Sequence, residues 1–197
     1  MQQTVVLPVA YFAPVSYYGL LHFYQNHYIE KHEHFIKQTI RSRCYILGAN
    51  GSLTLSIPVE RPSGMKIKID ELKINKSEQW QRIHWQSILS AYNSSPFFEY
   101  YEDYFKKLYE KQFDFLFDFN IEIHETILKL LKMPKEILFT NTYKKEYPVD
   151  YRNEQKIFSD FLPKEYYQVF SYKTEFVPNL SIIDLLCNEG PRAKEFL

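Results

Sequence analysis

Between residues 30 and 43 the chain sets close together several side chains able to move a proton or hold an anion: Glu30, His32, Glu33, His34, Lys37, Arg41 and Arg43. On a strand over residues 28–35, Glu30, His32 and His34 share one face, because strand side chains alternate with period two. A His-x-His pair with a carboxylate two residues earlier has the donors of a metal site. The commoner fate of such a face is a solvated edge, or a histidine hydrogen-bonded to Glu30, so no metal is assigned. Arg41 and Arg43 would also share a strand face, and the guanidinium fork matches phosphate or carboxylate. Paired with Glu33 or Glu30 they would instead form an ordinary ion network. With Lys37 they are the candidates for holding an anion. His32, Glu33 and His84 are the candidate proton carriers. His84 falls on the apolar stripe of a helix beside Trp85. A packed core histidine is the plainer reading there, and a general base kept neutral by burial is the chemical one. Tyr11 and Tyr92 are aromatic anchors that could flank a substrate.

The elements that must position these groups follow from period and punctuation. Residues 4–9 form a short β-branched run and read as a strand. An aromatic loop over residues 11–16 leads to a short helix near residues 17–26. Residues 36–46 and 52–59 flank Ala49-Asn50-Gly51, and Asn-Gly is a strong hairpin signal. Residues 66–75 alternate again. The period then changes. Ser77 precedes a helix from Glu78 to about Asn93; Ser95-Pro96 opens a second over residues 96–111; a third runs over about residues 114–132 and stops before Pro134. Residues 137–140 and 167–172 suit short strands, and residues 142–152 a polar, aromatic loop. Ser181 and Asp184 resemble a capping box on a last helix that Gly190-Pro191 ends. The expected fold is α/β, mixed α+β, in one domain over residues 1–197: a β-rich first part with a hairpin and a mixed sheet, three consecutive helices, and a short C-terminal strand and helix.

Composition narrows the partners. The 24 Lys+Arg balance 24 Asp+Glu, which argues against a nucleic-acid surface, since phosphate binding needs clustered cations. No run of about 20 apolar residues occurs, so no membrane span is expected. Cys44 and Cys187 lack the spacing of a zinc site and read as buried thiols. The first residues carry no basic, apolar leader, so a cytoplasmic location is expected. No GxGxxG, Walker or HxGH motif names a cofactor, and nothing in the sequence speaks to oligomeric state.

An ordered set of stretches resembles the WbqC-like protein family, a bacterial family named from an O-antigen gene cluster. They are Leu7-Pro8-Val9-Ala10-Tyr11-Phe12-Ala13-Pro14; Glu30-Lys31-His32-Glu33 with Lys37-Gln38-Thr39; Arg41-Ser42-Arg43-Cys44; Leu53-Thr54-Leu55-Ser56-Ile57-Pro58-Val59; Trp80 with Ala91-Tyr92 and Ser95-Pro96; and the tail from Phe176 to Leu186. Ser42 replaces the family's usual Asn, and His34-Phe35 its usual Asn-Tyr. The resemblance keeps Lys37, Arg41 and Arg43 and leaves room for Asp184 in a site. It implies a role in cell-surface polysaccharide synthesis, as a transferase acting on a nucleotide-activated sugar, with Lys37, Arg41 and Arg43 on its phosphates. The alternative is a non-catalytic module that docks a protein or glycan through an aromatic surface. An enzyme should bring the arginines, Glu33 and a histidine together in a pocket. A docking module should expose an apolar patch instead.

Overall fold

Strand β1 (Thr4–Pro8), helix α1 (Val15–Phe23) and strand β2 (Asn26–Glu30) make a βαβ unit in which β1 and β2 run parallel, Val6 opposite Tyr28 and Pro8 opposite Glu30. The structure is a computed structural model and describes residues 4–24, 26–61, 64–77, 79–133, 136–173 and 175–197. Met1–Gln3, read above as lacking a leader, lie outside the described residues. So do Glu78, expected to start a helix, and Pro134, expected to stop one.

The hairpin follows as β3 (Arg43–Gly48) and β4 (Gly51–Ser56), antiparallel, with Arg43 opposite Ser56. Its connecting residues are Ala49 and Asn50 rather than Asn50 and Gly51. Only Gly51 takes a positive φ, +108°, where the chain enters β4. Three helices come next: α2 (Trp80–Tyr92), α3 (Phe98–Glu110) and α4 (Leu116–Leu130). Strand β5 (Leu138–Phe139) then returns to lie parallel to β2. The order β1-β2-β5 is one parallel sheet, and the hairpin is a separate antiparallel one. Beyond the free edge of β1, residues 149–151 add a further parallel rung, Val6 N–H to the Val149 carbonyl at 3.0 Å and Tyr151 N–H to the Val6 carbonyl at 2.9 Å. Helix α5 (Glu154–Asp160) follows. Helix α6 (Ile182–Glu189) is capped by the Ser181 hydroxyl, which accepts from the Ile183 N–H, and ends at Gly190 with φ +56°.

Alternation sorts the sheet. Val5, Leu7 and Ile29 face the core, while Thr4, Val6, Tyr28 and Glu30 face the other way. The core gathers the aromatic excess: Tyr11, Phe12, Tyr17, Tyr18, Phe98, Phe105 and Phe119 are all fully buried. No helix among the described residues is long and apolar enough to cross a membrane.

Several expected elements differ. β2 stops at Glu30, because the Glu30 carboxylate accepts from the His32 N–H at 2.8 Å and folds the backbone into a turn. Residues 31–35 therefore leave the sheet, and Glu30, His32 and His34 do not share a strand face. Arg41 lies in the turn before β3, so it shares no strand face with Arg43. Residues 66–75 hold a single 3-10 turn (Ile69–Glu71) and isolated bridges rather than a strand. Residues 167–168 are irregular and 169–172 form turns, so no strand stands there. The Ser77 hydroxyl donates to Asn75 instead of capping α2. The Asp184 carboxylate turns into the core instead of closing a capping box.

Candidate functional site

The carboxyl ends of parallel strands are where α/β sheets bind ligands. At this end of β2 and β5 the chain buries four charged groups, Glu30, Glu33, Arg41 and Arg152, with Asp150 half-buried beside them. Glu33 and Arg41 form a two-pronged pair, Nε to Oε1 at 2.7 Å and Nη2 to Oε2 at 2.6 Å. Arg41 is 1% exposed and Glu33 5%, which sets the pair apart from surface ion pairs of little worth. Arg41 Nη2 also donates to the Arg152 carbonyl at 3.0 Å, while among the described residues Nη1 has only a 3.4 Å contact with Thr39 Oγ1. The Arg41 carbonyl is held in turn by Asn120 Nδ2 at 2.8 Å.

Glu30, the last residue of β2, is fully buried. Its Oε1 accepts from the Thr140 hydroxyl at 2.7 Å and its Oε2 from Arg152 Nη1 at 3.2 Å. Arg152 reaches Asp150 through Nη2 at 2.5 Å and donates to the carbonyls of Lys144 and Lys145 at 2.8 and 3.0 Å. Its guanidinium lies over the rings of both Tyr143 and Tyr147, 5.2 and 4.9 Å from their centroids. Arg152 thus pins residues 140–152 as a strap across the end of the sheet.

A cleft of about 510 Å³ opens beside this network, and Glu33, His34, Thr39, Arg41, Tyr143 and Arg152 are among its walls. Burial pushes the Glu33 carboxyl above its ordinary range, against the opposing pull of Arg41. The hydrogen bonds of Arg152 hold Asp150 below its own range, although burial alone would raise it. A raised carboxyl, oriented by a fixed guanidinium on the wall of an open cleft, is the arrangement of a general acid or base.

The other sequence candidates fall elsewhere. His32 is half-buried and Lys37 is exposed on the turn that carries Ile36 and Thr39 into the cleft wall. Arg43 is half-buried on β3 and does not line that cleft. Tyr11 and His84 meet in the core: the Tyr11 hydroxyl lies 2.8 Å from His84 Nδ1 and 2.5 Å from the Tyr109 hydroxyl. Burial holds His84 down at about 4, and neither residue borders a described cleft. Tyr92 and Asp184 belong to a separate buried group. The Tyr92 hydroxyl accepts from the Leu47 N–H at 3.3 Å, and Asp184 accepts from the Tyr166 hydroxyl at 2.8 Å and Gln168 Nε2 at 3.1 Å. Burial raises Asp184 to about 6. Among the described residues no three His, Cys, Asp or Glu side chains are grouped to hold a metal ion. Sequence reasoning missed Thr140, Asp150 and Arg152. Asp150 and Arg152 carry one signal, the Asp-x-Arg spacing in a tyrosine-rich loop, but Glu30, the partner of Arg152 and Thr140, lies more than 100 residues away.

Fold and site together define an α/β protein with an open cleft at the carboxyl end of a parallel sheet. The model of the WbqC-like protein family matches residues 10–159, and the chain belongs to that family. Glu30, Glu33, Arg41 and Arg152 fall inside the matched stretch, whereas Asp184 and the tail lie beyond it. No curated protein and no solved structure gives a significant match.

Proposed function

We propose that the protein is a transferase of cell-surface polysaccharide synthesis that takes an activated sugar in the cleft beside Glu33 and Arg41. One observation carries this reading: a carboxyl raised by burial, fixed by a bidentate arginine, on the wall of an open cleft at the ligand-binding end of the sheet. In the transfer, an acceptor hydroxyl or amine gives its proton to the Glu33 carboxylate as its lone pair attacks the activated carbon of the sugar. The bond from that carbon to the phosphate oxygen breaks, and the phosphate leaves with the electron pair. Arg41 keeps Glu33 oriented, and its Nη1, with Lys37 on the neighbouring turn, meets the anion. His34 borders the cleft mouth as a second proton carrier. Tyr143 offers a face for the sugar ring.

The docking reading keeps one observation in its favour. Leu53 of β4 and Ile83 of α2, 43% and 60% exposed, line a groove of about 670 Å³ between the hairpin and α2.

A panel of nucleotide-activated sugars, followed by thermal shift and by release of free nucleotide, tests the transferase. At a hundredfold excess over Kd a true ligand adds about 2.7 kcal/mol of stability. Wild type should be stabilised by at least one member and release nucleotide from it when an acceptor is present, and Glu33→Gln should lose the release. Unchanged release by a folded Glu33→Gln protein would overturn the assignment of the base.

A further inference from the structure

Beneath the strap, on the outward face of the parallel sheet, lies a second cleft of about 700 Å³. We propose that this cleft is a separate binding site for a saccharide carrying one anionic group, a sugar phosphate or sugar acid. It lies apart from the Glu33 cleft and does not rest on the transferase reading.

Four observations converge. The floor is the sheet itself, with Thr4, Val6 and Tyr28 pointing into the space. The far wall is the strap, which contributes Thr140, Asn141, Thr142 and Tyr147. Two tyrosine rings with hydroxyl and amide groups between them suit a flat, hydroxylated ring better than an apolar ligand. The single cation on this lining is Lys144, which is exposed and makes no ion pair among the described residues. It is the charge that a phosphate or carboxylate would meet.

The strap is also pre-formed. Arg152 is nearly buried, yet its hydrogen bonds go to the carbonyls of Lys144 and Lys145, to Asp150 and to Glu30, and both strap tyrosines lie against its guanidinium. Burying an arginine is costly unless its donors are satisfied, and here they are spent on fixing a polar, exposed loop. Sites that bind well hold their lining groups in place before the ligand arrives. The Thr140 hydroxyl, shared between Glu30 and the Lys31 N–H at 3.2 Å, fixes the start of the strap in the same way.

Calorimetry with glucose 1-phosphate as the probe, and glucose and inorganic phosphate as controls, tests the site. Wild type should bind glucose 1-phosphate saturably and at least tenfold tighter than either control. Lys144→Gln, an exposed change with little bearing on folding, should weaken the probe at least tenfold. Thr4→Trp should abolish binding by filling the floor. Glu33→Gln should leave probe binding intact, so that loss of nucleotide release in that variant speaks only to the other cleft. Absence of probe binding, equal binding by Lys144→Gln, or inorganic phosphate binding as tightly as the sugar phosphate would overturn the proposal.

Discussion

Cutting Arg41 back to methionine should destabilise the protein far more than loss of an ordinary ion pair. The guanidinium and the Glu33 carboxylate are 1% and 7% exposed and make two parallel hydrogen bonds of 2.7 and 2.6 Å. Removing one partner strands the other charge away from water, and breaking a buried pair in this way costs about 3–5 kcal/mol. For a chain of this size each kcal/mol lowers Tm by about 2–4 °C, so Arg41→Met should melt roughly 6–20 °C lower. Glu33→Gln should cost less, because the amide oxygen still accepts one guanidinium N–H. Arg41→Met/Glu33→Gln should cost less than the sum of the two, with a coupling of about 2 kcal/mol or more, since the double variant leaves neither charge of the pair stranded. Urea unfolding at constant m-value measures each corner of the cycle. A single-variant cost below about 1 kcal/mol, or no coupling, would mean that water reaches the pair, and the raised Glu33 carboxyl would lose its physical basis.

Three further outcomes follow from buried groups. The folded Asp184 carboxyl titrates at about 6 against an unfolded value near 4, so the native state holds the extra proton and stability falls as pH rises through that window. His84 behaves oppositely: at about 4 folded and about 6.5 unfolded, its contribution is full above pH 6.5 and is lost as pH falls toward 4. Asp184→Asn should therefore steepen the rise of stability with pH between 4 and 6, and His84→Gln should flatten it, each by on the order of 3 kcal/mol in denaturant titrations; slopes equal to wild type would contradict both. Gly190→Ala should cost about 2 kcal/mol or more, because the residue has φ +56° and a Cβ there would lie 2.4 Å from the Phe97 ring. Shortening the ring in Phe97→Leu/Gly190→Ala should recover part of that loss, and a neutral Gly190→Ala would show that the ring swings aside.

What the sequence discloses and what it withholds divide along local and distant contacts. The first strand and helix, the hairpin, the three helices and the Ser181 cap rest on neighbours within a few residues, and their types are readable from period and punctuation, whereas the parallel pairing of β1 with β2 is not. Glu33 and Arg41 are eight residues apart, and their pairing was among the readings. The end of β2 was misjudged because one side-chain hydrogen bond, Glu30 to the His32 N–H, overrode an alternating pattern. Asp150 and Arg152 fall in a stretch that reads as loop and Thr140 at the end of one that reads as strand, since nothing near Thr140 or Arg152 in the chain shows that they close on Glu30. Tyr11, Tyr92 and His84 looked like substrate or proton groups by type, but their hydroxyls and ring nitrogen find partners inside the core.

The most direct measurement is a crystal structure of the protein with the nucleotide-activated sugar that stabilises it best. The account predicts density in the 510 Å³ cleft, with the activated carbon facing Glu33, the anion near Arg41 Nη1 and the sugar ring against Tyr143. Density in the groove between the hairpin and α2 instead, with the Glu33 cleft holding only water, would contradict it.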